Sequence, residues 1–161
     1  MMVVDIKQNK KNTKGLFIIL FFRISSFFTK NFLLKLIGLP IRISYRVLII
    51  WLMGCDLPDT TKIGKGLRIF HGQGLVVNSE TIIGDYVTLR QNTTIGNSKE
   101  NGSSPIIGNN VEIGANSIIL GGINIGTNSV IGAGSVVLQS VMANSMVAGN
   151  PAKFKKTLTK I

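Results

Sequence analysis

The stretch IFHGQG, residues 69–74, holds the only histidine of the chain, His71, with Gly72 and Gly74 beside it. An imidazole ordinarily titrates near pH ~6.5, so it can take a proton from a hydroxyl or thiol and return it close to neutrality. General-base help of that kind is worth about 10²–10⁴-fold in rate. One histidine cannot supply the three-histidine zinc site of a γ-type carbonic anhydrase, and no resident metal is expected. Cys55 is the only cysteine, so no disulfide can form within one chain, and a reducing compartment suits it. It reads as a small buried side chain rather than a nucleophile.

The elements that must position His71 come from a six-residue rhythm. Aliphatic residues recur at Ile107, Ile113, Ile119, Ile125, Ile131 and Val137, and before them at Ile63, Ile69, Val77, Ile83, Leu89 and Ile95. A period of six is neither helical nor a simple strand alternation. It marks a parallel β-helix of hexapeptides, three to a coil, with each aliphatic residue pointing inward onto its equivalent eighteen residues on. Four residues after these positions come smaller or β-branched residues (Val87, Thr93, Val111, Ser117, Ser129, Ser135), which suit a narrow interior. The rhythm breaks twice. Ile69 to Val77 is a step of eight, with two extra residues inside FHGQG. Ile95 to Ile107 is a step of twelve across the polar stretch NSKENGSSP, 97–105. Interruptions of a repeat are where such scaffolds carry function. At the first, the glycines let the backbone bulge and carry His71 out of the inward ladder.

The N-terminal third differs. The chain carries 18 Lys and Arg against 7 Asp and Glu, a formal charge of +11. Residues 1–50 hold nine of the basic residues and one acid, Asp5. Residues 15–53 read as two helices, about 16–37 and 41–53, separated by GLP at 38–40. They either pack on the repeats with basic ends turned outward, or rest a basic, Phe-rich face on an anionic membrane. No apolar run reaches the about 20 residues a spanning helix needs, and no cleavage site follows the first apolar run, so a cytoplasmic protein is expected, with the inner membrane face as an alternative. The expected organisation is a helical segment over 1–55, a repeat domain over 56–150 and a basic tail over 151–161. A nucleic-acid binder would need its basic residues across the repeats with aromatic partners, and they are not there. A non-catalytic, membrane-associated scaffold stays open.

The segments IGKGLRIFHGQGLVV, ETIIGDYVTLRQNTTIG, IGAGSVVLQSV and AGNPAK resemble the serine acetyltransferase branch of the hexapeptide-repeat acyltransferases, over roughly residues 40–156. The short helical lead is similar to the small O-acetyltransferases of colanic-acid and exopolysaccharide clusters, because serine acetyltransferases carry a longer helical domain. The resemblance implies a left-handed parallel β-helix, a homotrimer, and acetyl-CoA lying in a cleft between subunits. It makes His71 the base and Asp56 the carboxylate that orients it, and places backbone N–H groups near Gly96 and Asn97 at the oxyanion. The family's serine-binding aspartate before the histidine is Phe70 here. Its serine-binding Arg-His pair falls at Ser103 and Ser104. Groups that grip an amino acid's charged ends are therefore missing, which favours a sugar hydroxyl as acceptor, with serine the alternative. Ala115, Ala133, Gly134 and Ser135 fit a cofactor path along later coils. Lys153, with Lys155 and Lys156, is placed to meet nucleotide phosphates.

Overall fold

A computed structural model describes residues 1–159. Among the described residues fourteen short parallel strands wind into about five coils whose sides form three sheets, and a fifteenth runs back along one of them. The first sheet stacks β1 (Cys55–Asp56), β4 (Leu75–Val77), β7 (Thr94–Gly96), β10 (Ile118–Leu120) and β13 (Val136–Val137). The second stacks β2 (Lys62–Ile63), β5 (Ile82–Ile83), β8 (Ile106–Ile107) and β11 (Asn124–Ile125). The third stacks β3 (Arg68–Phe70), β6 (Thr88–Arg90), β9 (Glu112–Ile113), β12 (Val130–Ile131) and β14 (Ser145–Ala148), and is closed by β15 (Lys153–Thr157), its one antiparallel strand. The parallel β-solenoid expected from the six-residue rhythm is the structure found.

The register shows how the two interruptions are absorbed. In the later coils Ile107 pairs with Ile125 and Ile113 with Ile131, the regular spacing of eighteen. Across the first interruption Ile69 pairs with Leu89, twenty residues on. Across the second Ile83 pairs with Ile107, twenty-four on. The ladder stays in step because the extra residues leave it at the corners. The inward aliphatic residues from Ile69 to Val137 are buried, each worth ~1.5–3 kcal/mol by area alone. The buried serines do not cost stability, because their hydroxyls hold the corners. Ser117 Oγ donates to Gly114 O at 2.8 Å and Ser129 Oγ to Met142 O at 2.8 Å.

The N-terminal third forms more, and shorter, helices than the apolar pattern suggests. They are α1 (Met2–Gln8), α2 (Thr13–Phe27), α3 (Phe32–Ile37), α4 (Leu39–Tyr45) and a π-helical segment, Arg46–Leu52. The expected helix over 16–37 breaks because Asn31 caps a new one, accepting from the Leu34 N–H at 2.9 Å. The expected break at 38–40 narrows to Gly38, because Pro40 fits the first turn of α4 and the helix starts at Leu39. The expected helix over 41–53 is α-helical only to Tyr45.

These helices cap the first coil. Its open carbonyls would otherwise face no strand, and polar side chains meet them instead. Asn9 Nδ2 donates to Leu67 O at 2.8 Å, Asn12 Nδ2 to Ile69 O at 2.7 Å, and Arg23 Nη1 to Ile63 O at 2.9 Å, with a second contact to Gly64 O. Arg23 is oriented by the buried Asp5 carboxylate, 3.0 Å from Nε, which also accepts the Gly66 N–H at 2.6 Å. Arg42 pairs with Asp59 at 2.7 Å, and Tyr45 Oη donates to Leu57 O at 2.6 Å. Two of the nine basic residues of this third are thus spent on docking to the solenoid. Among the described residues no helix is long and apolar enough to cross a membrane.

Candidate active site

His71 sits at the corner that joins the third sheet to the first. Phe70 pairs with Arg90 before the corner, and after it the Asn92 N–H donates to Gln73 O. A Cβ on Gly74 would fall 2.2 Å from Asn92 Oδ1, so Gly74 and Asn92 occupy one place in successive coils. The two inserted residues are therefore His71 and Gly72 themselves. His71 is exposed and has φ 68°, while Gly72 and Gly74 have φ 70° and 64°. A non-glycine residue in the left-handed region costs about 1–2 kcal/mol, and such strain gathers at functional positions.

Asp56 lies beside this corner. Gly74 N donates to Gly54 O at 2.7 Å, and Asp56 pairs in register with Val76. Both Asp56 and His71 are exposed, and no hydrogen bond or ion pair joins them. Cys55, next to Asp56, is buried, and its thiol is pushed up to about 12 by that burial, with Asp56 adding to the shift. It is a packing residue without thiolate character at neutral pH.

The edge that carries His71 runs on through later coils, where Gln91 and Asn92 are followed by Ala115 and Asn116 and then by Ala133 and Gly134. Asn116 N donates to Gln91 O, and Gly134 N to Ala115 O at 2.8 Å, so Asn92, Asn116 and Gly134 stack in line above Gly74. Ala133 and Gly134 are exposed and Ala115 is half-buried. Ser135 is wholly buried, with Oγ donating to Gly132 O at 2.6 Å and accepting from the Gly149 N–H. It shapes the corner without facing out from it. Lys153 opens β15, is exposed, and pairs with Ala148 at the far end of the solenoid.

Gly96 and Asn97 lie at the other corner of the first sheet, where the chain leaves for the second. Together with Asp56, Asn78, Thr94 and Leu120 they line a groove of about 370 Å³ that does not include His71. Gly96 stands four residues beyond Asn92, which stacks on Gly74, so about 13 Å of extended chain separates the His71 corner from this groove, with Asp56 on the face between them. Asn97 accepts from Asn78 Nδ2 at 3.2 Å and donates to Lys99 O at 2.8 Å. Sequence reasoning missed Asn78. The signal was the recurrence of Asn-Ser, at 78–79 and 97–98, as the chain turns the same corner in successive coils. The polar loop is anchored at both ends on the next coil, with Ser98 against Gly121 and Ser103 against Gly122. Ser104 Oγ is enclosed without a hydrogen-bond partner. Phe70 turns to the third sheet, where the Arg90 guanidinium lies 5.1 Å from its ring centroid. Among the described residues no three His, Cys, Asp or Glu side chains gather as a metal site.

Comparison with known proteins decides the family. The model for bacterial transferase hexapeptide (six repeats) matches residues 104–139. WcaB of Escherichia coli K12, assigned as a colanic acid biosynthesis acetyltransferase, is 38% identical over 159 residues, covering 96% of this chain and 98% of WcaB. The chain belongs to the hexapeptide transferase family. A serine acetyltransferase of Staphylococcus aureus N315 is 47% identical over 105 residues, but the match covers 64% of this chain and 49% of that protein. The solved serine acetyltransferase of Brucella abortus S19 in complex with coenzyme A superposes with a TM-score of 0.83 at 29% identity, covering 98% of this chain and 67% of that one. These hexapeptide relatives are acetyltransferases, and the chain is an acyltransferase.

Proposed function

We propose that this hexapeptide acyltransferase moves the acetyl group of acetyl-CoA to a saccharide hydroxyl, with His71 as general base and Asp56 as its orienting carboxylate. The observation that carries the reading is the insertion of His71 and Gly72 at a solenoid corner whose later coils offer Ala115, Ala133 and Gly134. A long thioester laid along that edge meets small side chains at Ala133, Gly134 and Ala115, passes the amides of Asn116 and Asn92, and ends at the imidazole.

The steps follow from the groups present. His71 removes the acceptor hydroxyl proton as the oxygen attacks the thioester carbonyl. Asp56, on the neighbouring strand, accepts from the other ring nitrogen after a side-chain rotation and stabilises the imidazolium. Backbone N–H groups at Gly96 and Asn97 take the developing oxyanion. The C–S bond then breaks, and the departing CoA sulfur receives the proton held by His71. Because His71 and the Gly96–Asn97 groove occupy opposite edges of one face, each site is read as composite, with one subunit's His71 facing its neighbour's groove in a homotrimer. Lys153 then meets the nucleotide phosphates.

The sugar is favoured by the whole-length match to WcaB and by Phe70, Ser103 and Ser104, which offer no charge to an amino acid's carboxylate or ammonium. Serine is the second reading, supported by the solved serine acetyltransferases that match nearly the full chain. Release of CoA from acetyl-CoA, followed with a thiol reagent, separates the two. Cys55 is too buried to add signal. Turnover with saccharides but not L-serine is expected, and it should fall about 10²–10⁴-fold in His71→Ala. A folded His71→Ala variant as fast as wild type would remove the base, and saturable turnover with serine would move the enzyme to amino-acid chemistry.

A further inference from the structure

Helix α3 has the sequence FLLKLI and buries none of its residues. An apolar helix with no buried face in its own chain has its partner elsewhere. Phe32 is 82% exposed, and the apolar surface continues through Leu36, Ile37 and Ile43 to Trp51 at 78% and Leu52 at 73%. Lys30, Lys35 and Arg46 stand exposed within this surface and form no ion pair among the described residues. The acids that could offset them are engaged or lie beyond it. Asp5 is buried against Arg23, Asp59 is buried against Arg42, and Asp56 follows the π-helical segment.

We propose that this face, formed by α3, α4 and the π-helical segment, docks on an anionic phospholipid bilayer. The elements are six or seven residues long, so they lie in the interface and do not span it. Trp51 and Phe32 enter the headgroup boundary, and the Lys and Arg side chains reach lipid phosphates. A two-fold dimer through this face would set Lys30, Lys35 and Arg46 against their own equivalents, which disfavours that dimer. Trp51 precedes Asp56 by five residues, at most about 18 Å of extended chain. Docking therefore holds the candidate site within reach of a saccharide carried on a lipid. That consequence rests on the acetyl-transfer reading, whereas docking does not.

The test is co-sedimentation of the full chain with vesicles of phosphatidylcholine alone or mixed with phosphatidylglycerol, at low and high salt. Binding to the anionic vesicles is expected to be at least about tenfold tighter and to weaken with salt. Phe32→Ser with Trp51→Ser, and separately Lys30→Glu with Lys35→Glu, should each lose about tenfold or more of it. Solution CoA release should stay unchanged in both, which separates lost docking from lost folding and from failure of the catalytic reading. Three results would overturn the proposal. They are no binding of wild type to anionic vesicles, binding by both variants as tight as wild type, or a lipid-free assembly that dissociates in the Phe32 and Trp51 variant, since a second copy would then own the face.

Discussion

The solenoid and its helical cap are held by opposite strategies. In the solenoid one solution recurs at every coil: an inward Ile, Leu or Val, a corner residue at positive φ, and after it a buried leucine, valine, threonine or serine. In the cap each polar residue is used once. Asn9 and Asn12 each meet one carbonyl of the first coil, Arg23 meets two, and Asp5 and Asp59 each hold one arginine. Repetition spreads a defect over many equivalents, while single-use contacts concentrate it. The candidate chemistry lies where the two meet, since His71 is in the first coil and α2 packs on that corner. A Cβ on Gly72 would come 2.9 Å from Ile18 Cδ1.

The largest effect is expected from Asp5→Ala. It strands the Arg23 charge in a buried site and frees the Gly66 N–H, a loss of about 3–5 kcal/mol. In calorimetry that is a fall of roughly 6–20 °C in Tm. Ile119→Val, which removes one methylene from the middle of the ladder, should cost only ~0.5–1.5 kcal/mol. If the two variants melt together, the contrast between single-use and repeated contacts fails.

Acid supplies the smallest and most selective probe. Burial would raise the Asp59 carboxyl, but hydrogen bonds from Arg42 and Ser25 outweigh it and hold the group below the ordinary carboxylate range. A depressed folded pKa means that the unfolded chain takes up the proton first. The pair's stabilisation is then complete above about pH 4 and lost as pH falls through the lower folded value. Glu80, Glu100 and Glu112 of the solenoid are exposed, so acid should loosen the cap first. Urea midpoints followed with pH should show a shallower acid slope in Asp59→Asn. Identical slopes would take Asp59 out of the account.

The six-residue rhythm was enough to specify a parallel solenoid, because a residue that must point inward from every side leaves its mark at a fixed interval. The step of eight also announced two extra residues, and the stretch IFHGQG showed where. Which two they are was decided by pairing, with Phe70 opposite Arg90 and Gly74 beneath Asn92. The cap could not be read in the same way. Asn9 and Asn12 bond backbone carbonyls nearly sixty residues away, and a carbonyl has no residue type to leave in the sequence. The same holds for the candidate site. His71 stands out as a residue, but its separation from Gly96 and Asn97 by a full face of the solenoid follows from how three sheets close around one core.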